Sequence, residues 1–343
     1  MNGVRTASPF TARSVTLRTA AALLASAALV ALAGGCSAAG GQDAEGKSGG
    51  SGKGAATPRM TIGMVSHSGD GDTFWDIVQN GAEQAAAKDN VKFLYAHDKE
   101  GAQQAELIQS YIDQKVDGLI VTLAKPQAVK AAVRKAVAQG IPVITINSGG
   151  EFSQAYGALT HIGQDESVAG RAVGDELNAR HAKKALCVIH EQGNVSLEDR
   201  CAGVRKAFHG TVENLNVDGT NAPSSQSSVE AKLQSDKSID AIVTLGAPMA
   251  AISVKAKEEA GSSAQIATFD LNSAVVGLLK AKDVTFAVDQ QPYLQGYEAV
   301  DLLWLHKANA DVLGGGKPVL TGPALVTQQD VPKLTEYTGR GTR

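Results

Sequence analysis

Residues 118–147 read GLIVTLAKPQAVKAAVRKAVAQGIPVITIN, and this stretch decides the fold. The apolar runs GLIVTL (118–123) and PVITIN (142–147) are continuous rather than alternating, as in parallel strands that are buried on both faces. Between them, the amphipathic stretch AVKAAVRKAVAQG (128–140) predicts a helix that ends at Gly140. Strand, helix and strand in this order form a βαβ unit and predict a parallel sheet.

The same alternation continues through the chain. The other strand candidates are MTIGMV (60–65), VKFLYA (91–96), THIG (160–163), ALCVIH (185–190), AIVTLG (241–246), QIATFD (265–270) and TFAVDQ (285–290). Amphipathic stretches such as DIVQNGAEQAAAKD (76–89) separate them. We therefore predict an α/β protein with parallel sheets.

Polar side chains follow most of the predicted strands. In open parallel sheets, ligands bind beyond the carboxyl ends of the strands. The side chains found there are Ser66, His67, Asn147, Ser148, Glu191, Asn194, Asp270 and Gln290. Amides, hydroxyls and carboxylates in this mixture are suited to binding the hydroxyl groups of a small ligand.

The stretch HSGDGDTFWD (67–76) places two aromatic residues beside this predicted site. Only 4% of the chain is aromatic and it has two Trp, yet Phe74 and Trp75 are adjacent. An aromatic face packs well on the C–H side of a sugar or polyol ring, so we predict that the pair forms a wall of the site. The alternative is that both residues begin the next helix and are buried against the sheet.

The N-terminus has the layout of an export signal. Three arginines, Arg5, Arg13 and Arg18, precede the apolar run AAALLASAALVALA (20–33), and no acidic residue occurs before Asp43. The run is short for a transmembrane helix, which favours a signal peptide over residues 1–35.

The sequence LAGGCS (32–37) resembles a bacterial lipobox, which predicts lipidation at Cys36. Ordinary cleavage after Ala33 is the alternative. Residues 36–58 are rich in Gly and Ser and predict a lipidated, flexible tether, followed by a globular body from residue 59.

The body resembles the type I periplasmic binding proteins of the ribose/galactose/inositol group, the solute receptors of ABC importers. The likeness covers about residues 60–330. Its motifs, in the family's order, are MVSHSGDGDTFWDIVQNGAEQAA (64–86), KVDGLIVTLAKPQAV (115–129), GIPVITIN (140–147), HIGQDESVAGRAVGDEL (161–177), FDLNSAVVGLLKAKD (269–283) and AVDQQPYLQGYEAV (287–300).

The resemblance implies two Rossmann-like lobes joined by a three-crossing hinge, with the ligand in the cleft between them. The expected N-terminal lobe is 59–163 plus 291–320, and the expected C-terminal lobe is 164–290 plus 321–335. Ligand binding would close the lobes about the hinge.

The resemblance also implies roles for particular residues. Its first-strand Ser matches Ser66, its polar residue before the aromatic pair matches Asp72, and its pair matches Phe74 and Trp75. Its sugar-clamping Arg matches Arg200, its late Asp matches Asp270, and its hinge Gln matches Gln290.

The chain also departs from the ribose-type pattern. Asn147-Ser148 replaces an Asp-Arg pair and Gly246-Ala247 replaces an Asn. His67, Glu191 and Asn194 are candidates to compensate. The expected ligand-binding set is Ser66, His67, Asp72, Phe74, Trp75, Asn147, Ser148, Glu191, Asn194, Arg200, Gly246, Asp270 and Gln290.

The function expected from this resemblance is an exported receptor that is lipid-anchored to the outer face of the cytoplasmic membrane. It would be a monomer that binds a neutral monosaccharide or polyol and delivers it to ABC permease subunits. The alternative is a receptor that presents a sugar-like signal to a membrane sensor or chemoreceptor.

Other functional classes find little support in the sequence. The net charge of −3 gives no sign of nucleic-acid binding, and a signal run stands where a repressor would carry its DNA-binding domain. SGDGDTF (68–74) lacks the third Gly of a dinucleotide loop and carries Asp where phosphate would lie. The seven His show no i,i+4 pair for zinc. We therefore expect no enzyme activity, cofactor or metal.

Two cysteines remain in the predicted exported body. Cys187 lies in a predicted strand and Cys201 early in the next helix. An oxidising compartment permits a disulfide between them, but two buried thiols fit the sequence equally well.

Overall fold

The computed structural model describes residues 55–69 and 71–343 of the chain. The predicted signal peptide, the predicted lipidation site Cys36 and most of the predicted tether lie outside the described residues. The strands are β1 (Met60–Ser66), β2 (Val91–His97), β3 (Gly118–Val121), β4 (Val143–Ile146), β5 (Thr160–Gln164), β6 (Lys184–Ile189), β7 (Thr211–Asn216), β8 (Ala241–Thr244), β9 (Gln265–Phe269), β10 (Phe286–Asp289), β11 (Val319–Gly322) and β12 (Ala324–Val326). The helices are α1 (Thr73–Lys88), α2 (Gly101–Asp113), α3 (Pro126–Ala138), α4 (Gly150–Tyr156), α5 (Glu166–Ala179), α6 (Val195–Ala207), α7 (Ala222–Ser235), α8 (Ala247–Glu259), α9 (Ser273–Ala281), α10 (Pro292–Asn309) and α11 (Val331–Gly339).

Two six-stranded sheets form the framework of the described body, and they confirm the predicted α/β class. The first has the strand order β11-β5-β4-β3-β1-β2, and all its pairs are parallel. The second has the order β12-β10-β9-β8-β6-β7. We call each sheet with its helices a lobe.

One strand departs from the prediction of wholly parallel sheets. β12 pairs antiparallel with β10, whereas the other pairs of the second sheet are parallel. A single residue, Pro323, separates β11 from β12. A parallel strand needs a crossover helix that first brings the chain back to the other end of the sheet. No such helix precedes β12, so it runs antiparallel to β10.

The stretch that decides the fold behaves as its pattern predicts. β3 and β4 are buried along their whole length and pair with each other. α3 connects them, begins at Pro126 and ends at Ala138, just before Gly140 with its φ of +77°. A left-handed residue after a helix is the conformation that glycine accommodates best.

The chain passes between the two sheets three times, after Gln164, after Asp289 and after Gly322. The first and third crossings fall slightly later than the predicted 163 and 320, because β5 extends to Gln164 and β11, for which no strand was predicted, extends to Gly322. α10 lies in the first lobe against α1. Their approach is so close that a Cβ on Gly296 would lie 1.9 Å from the carbonyl oxygen of Val78.

The globular body begins before residue 59. The amide of Ala55 donates to the carbonyl of Lys88, and the indole of Trp304 donates to the hydroxyl of Thr57 at 3.0 Å. The end of the predicted tether therefore belongs to the first lobe. No helix among the described residues has the length and apolar character needed to cross a bilayer.

Candidate ligand-binding site

A cavity of about 160 Å³ lies where the carboxyl ends of the two sheets face each other. It is lined by every predicted ligand-binding residue except Ser66, namely His67, Asp72, Phe74, Trp75, Asn147, Ser148, Glu191, Asn194, Arg200, Gly246, Asp270 and Gln290. The rule that ligands bind beyond the carboxyl ends of parallel strands, here called the strand-end rule, therefore picks out residues that are far apart in the sequence but line one cavity.

Ser66 lies beneath the cavity rather than in its wall. Its side chain is fully buried, its Oγ lies 2.8 Å from the hydroxyl of Tyr95, and it accepts the amide of Ser68 at 3.3 Å. Because both partners lie within the first lobe, Ser66 supports the loop after β1, and the prediction that it lines the site is not met.

Phe74 and Trp75 satisfy both interpretations of the aromatic pair. α1 begins at Thr73, three residues earlier than the apolar pattern predicted, because the carboxylate of Asp72 caps it by accepting the amide of Phe74 at 3.1 Å. Both rings are buried in the core of the first lobe, and both also line the cavity. Trp75 meets the rings of Phe74 and His67 edge-on, at centroid distances of 5.2 and 5.0 Å.

A chain of hydrogen bonds forms the floor of the cavity at the hinge. Ser148 Oγ donates to Asn147 Oδ1 at 2.7 Å, and Asn147 Nδ2 donates to Gln290 Oε1 at 3.1 Å. Gln290 Nε2 then donates to Asp270 Oδ1 at 2.6 Å. These bonds join the carboxyl ends of strands from both lobes, so the cavity floor and the hinge share the same side chains.

Asn147 and Asp270 both have left-handed backbone conformations, with φ of +62° and +67°. Asn and Asp tolerate this conformation better than most residues. The turn that each makes at its strand end directs the chain around the cavity floor.

Arg200 is held in place by Glu166. Its Nε and Nη2 donate to Glu166 Oε2 and Oε1 at 2.6 and 2.9 Å, and its Nη1 donates to the carbonyl of Leu245 at 2.8 Å. Its Nη1 also lies 3.8 Å from Asp270 Oδ2. Arg200 therefore reaches the cavity with most of its donors already bonded, and its charge is balanced by a buried carboxylate.

Two aspartates of the site, Asp270 and Asp72, have pKa values that are raised toward the neutral form. Burial raises the pKa of Asp270 to about 7, although Arg200 and the hydrogen bond from Gln290 oppose the shift. Burial likewise raises the pKa of Asp72 to about 6, against the hydrogen bond from the amide of Phe74.

The walls of the cavity touch each other across the cleft. Asn194 Nδ2 lies 3.3 Å from His67 Nε2, and Glu191 Oε2 lies 3.8 Å from the same nitrogen. Lys125 Nζ of the first lobe lies 3.7 Å from Glu191 Oε1 of the second. Burial lowers the pKa of His67, and the Glu191 carboxylate opposes that shift. The two lobes thus form a closed arrangement around the cavity.

Sequence reasoning missed several lining residues, including Lys99, His190, Gly219, Thr220 and Met249. His190 is the last residue of the predicted run ALCVIH (185–190), so the strand-end rule could have included it. Gly219 and Thr220 follow β7, whose polar sequence TVENLN gave no strand signal.

A disulfide joins Cys187 of β6 to Cys201 of α6. His190 directly follows this strand, Asn194 caps this helix and Arg200 lies in it, so the bond ties together two elements of the site. Nowhere in the described part of the chain do three or more His, Cys, Asp or Glu side chains gather as a metal site would require.

Comparison with known proteins gives consistent results. A family model described as the periplasmic binding protein domain matches residues 62–310. A carbohydrate transporter of Acidothermus cellulolyticus, solved in complex with myo-inositol, is 46% identical, with a TM-score of 0.82, over 83% of this chain and 100% of that one.

Two further relatives are more distant. The ribose import binding protein RbsB of Bacillus subtilis is 25% identical over 75% of this chain and 83% of its own length. An ABC transporter solute-binding protein of Burkholderia graminis, solved with D-arabinose, is 22% identical, with a TM-score of 0.71, over 79% of this chain and 96% of that one. The last likeness shows the shared fold.

Proposed function

Since this chain belongs to the periplasmic binding protein family, we propose that it binds one small, neutral, polyhydroxylated ring between its lobes. A cyclitol such as myo-inositol, or a monosaccharide, is the ligand class. The observation that carries this proposal is the cavity between the two touching lobes, whose wall is aromatic on one side and whose floor is a line of amide and carboxylate groups.

The size of the cavity favours a single ring. Its volume of about 160 Å³ lies below the roughly 300–1,000 Å³ of pockets that hold drug-sized ligands. Trp75 and Phe74 supply apolar surface for the C–H groups of the ring, while Asp270 and Asn147 supply acceptors and donors for its hydroxyls.

The charges of the cavity favour a neutral ligand. Arg200 is paired with Glu166, and Asp72, Glu191 and Asp270 add acidic groups to the lining. An anionic ligand would meet these carboxylates with Arg200 already paired and with the exposed Lys99 as a further cation of the lining. The Acidothermus relative, which is 46% identical, was solved with the neutral ligand myo-inositol, and this supports the same class for this chain.

The proposed biological role is import. The chain would be exported, lipidated at Cys36 and held at the outer face of the cytoplasmic membrane. The lobes, 59–163 plus 291–320 and 164–290 plus 321–335, would open and close about the three crossings and deliver the ligand to ABC permease subunits. On this proposal the protein is a monomeric receptor and not an enzyme.

A thermal-shift and calorimetry screen of the purified protein tests the ligand class. The panel holds myo-inositol, D-ribose, D-arabinose, D-xylose and D-glucose, with myo-inositol 1-phosphate as the charged control. A ligand at 100 times its dissociation constant adds about 2.7 kcal/mol to the free energy of unfolding. We expect a large shift with one neutral ring and none with the phosphate.

Binding of the phosphate in preference to every neutral ring would overturn the proposed ligand class. A protein that binds none of the panel after denaturation and refolding, which removes any ligand retained from the cell, would overturn the proposed function. The lipid anchor has its own test, because a labelled fatty acid should enter the natural chain and not the Cys36→Ser variant.

A further inference from the structure

The imidazole ring of His190 occupies a space between two glycines at the edge of the cavity. A Cβ on Gly246 would lie 3.1 Å from its Cε1, and a Cβ on Gly219 would lie 3.1 Å from both its Cβ and its Cδ2. β6 lies between β7 and β8 in the second sheet, and the two glycines follow these two neighbours. The absence of side chains on both sides therefore creates the space for the ring.

The backbone at this point is also fixed. The amide of Gly219 donates to the carbonyl oxygen of His190 at 2.9 Å. With the main chain held and a glycine on each side, the ring fits at the cavity wall in a space that a side chain at either glycine would narrow.

The ring is polar but lacks a partner of its own. Its Nδ1 is buried and has no hydrogen-bond partner among the described residues. Buried polar atoms are nearly always paired, and an unpaired one destabilises the closed state unless something else supplies the bond. Nδ1 is enclosed by the protein, so a ligand in the cavity reaches the ring on its Gly246 side, where Cε1 and Nε2 lie.

The ring is neutral at physiological pH. Burial lowers the pKa of His190 to about 4; the nearby Glu191 carboxylate opposes the shift, and Arg200 and His67 add to it. A neutral imidazole has one donor nitrogen and one acceptor nitrogen. A hydroxyl group both donates and accepts, so it can bond to Nε2 whichever nitrogen carries the proton.

On the basis of the proposed function, we infer that His190 is a ligand-contacting, specificity-determining residue. It forms a hydrogen bond with a hydroxyl of the bound ring, and Gly219 and Gly246 fix the position from which it does so.

The test is a double-mutant cycle, read by calorimetry with myo-inositol and with D-ribose, D-arabinose and D-xylose. The variants are His190→Ala, Gly246→Ala and the two combined. Gly246 has an extended backbone, with φ of −169°, so alanine is tolerated there. Gly277→Ala is the matched control, because a Cβ on Gly277 meets nothing within 4 Å.

We expect His190→Ala to weaken binding of the preferred ligand at least tenfold. Gly246→Ala should weaken binding several-fold, because its methyl group displaces the ring. The combined variant should bind no worse than His190→Ala, and Gly277→Ala should bind like the natural protein. His190→Gln, which retains a donor and an acceptor, should recover part of the loss.

Binding by His190→Ala within twofold of the natural protein would overturn the inference while leaving the proposed function intact. A Gly246→Ala effect that persists in the His190→Ala background would show that the methyl group acts on the ligand directly, and would overturn the positioning role of that glycine. A natural protein that binds none of these four ligands and not D-glucose either overturns this inference together with the proposed function.

Nitrogen NMR of the natural protein gives a readout that a purely structural role would not change. The imidazole nitrogen signals that are absent from His190→Gln belong to His190. A shift of these signals on ligand addition is the expected result, and unchanged signals at saturation would contradict the contact.

Discussion

Trp75 belongs to the core of the first lobe and to the wall of the cavity at the same time. Its side chain is only 4% exposed, so replacing it by alanine would cost about 3–5 kcal/mol of stability whatever its role in binding. A loss of affinity in that variant would not identify a ligand contact, and a smaller aromatic substitution is more informative.

Tryptophan fluorescence can report on Trp75 alone, because the chain has just two Trp and the other can be replaced. In Trp304→Phe, the remaining indole is Trp75 at the cavity, and we expect ligand to change its emission. In Trp75→Phe, the remaining indole is Trp304, which contacts Thr57 away from the cavity, and we expect no change. Trp75→Phe should also weaken binding by about 1 kcal/mol, because the ring face is smaller. Equal responses from the two variants would contradict the stacking role.

Asp270 should give the stability of the ligand-free protein a component that depends on pH. Burial raises its pKa to about 7 in the folded state, whereas an Asp in an unfolded chain has a pKa of about 3.9. The folded state therefore holds this proton more tightly, and the resulting stabilisation, complete below about pH 4, is lost as the pH rises through about 7.

The Asp270→Asn variant lacks this component. We expect its free energy of unfolding, relative to that of the natural protein, to rise between pH 4 and pH 7, by about 1.4 kcal/mol for each unit of the pKa shift. Denaturant titrations across this range measure the difference. Asp113→Asn, on the exposed surface of α2, is the control. If the curves of Asp270→Asn and the natural protein run parallel, the raised pKa is wrong.

At the residue scale, most of the cavity could be predicted because a strand end in a parallel sheet faces a known edge. The failures have physical causes. Ser66 follows that rule, but Tyr95 on the neighbouring β2 binds its hydroxyl and turns it away from the cavity. His190 ends a predicted strand run and could have been included, but the space for its ring comes from glycines that follow the flanking strands β7 and β8. That space, and the contact that buries Ser66, are visible only when the neighbouring strands are known.

At the element scale, α5 and α6 pack through glycines that hold the site in place. A Cβ on Gly170 of α5 would lie 2.2 Å from the carbonyl oxygen of Arg200 on α6, and 2.9 Å from the Cα of Gly203. The obstacle is backbone, so it cannot move aside as a flexible side chain would. α6 also carries Arg200 and is capped by Asn194, and both side chains line the cavity.

Gly170→Ala should therefore push α6 away from α5. We expect a loss of about 1–3 kcal/mol in the free energy of unfolding, as for other overpacked contacts. Ligand affinity should fall as well, because Arg200 and Asn194 move with their helix. Denaturant unfolding and calorimetry measure the two effects. Gly277→Ala, which adds a methyl group in open space on α9, should change neither.

A Gly170→Ala protein with natural stability would show that the helices can separate at no cost. A Gly170→Ala protein that is less stable but binds the ligand with unchanged affinity would show that the site does not depend on the position of α6 relative to α5. Either result would contradict the idea that the α5–α6 contact positions the site.

The strands that sequence analysis missed are all at sheet edges. β7 and β11 each pair with one neighbour at the end of a sheet, and β12 does the same beside β10. Such strands are partly exposed, so they need no continuous apolar run, as the polar sequence TVENLN of β7 shows. The inner strands β3 and β4 are buried throughout, and their apolar runs made them predictable.

At the scale of the whole molecule, contacts across the cleft hold the lobes together apart from any ligand. The amide of Val195 donates to the carbonyl of Ala124 at 3.1 Å. The Lys125 ammonium pairs with the Glu191 carboxylate at 3.7 Å. Lys125 does not line the cavity of about 160 Å³, so its substitution changes the closure of the lobes without removing a group that faces the ligand.

If the ligand-free protein is partly open, part of the binding free energy is used to close the lobes, and the apparent affinity is lower. The apparent dissociation constant equals the intrinsic one divided by the fraction of molecules in the binding-competent state. A partly exposed ion pair contributes roughly 0.2–1 kcal/mol, and removing it should lower that fraction accordingly. The affinity should fall by the same factor for every ligand, because the contact between Lys125 and Glu191 does not depend on which ring is bound.

We therefore expect Lys125→Met to weaken binding of each ligand by about twofold to fivefold while keeping their order of preference. Small-angle scattering of the ligand-free variant should show a larger radius of gyration, and saturating ligand should restore the natural value. Lys135→Met, in the helix that Lys125 precedes and bonded to Gln109 within the first lobe, is the control. A changed order of ligands would place Lys125 in recognition of the ring, and an unchanged affinity would mean that the pair with Glu191 contributes nothing to closure.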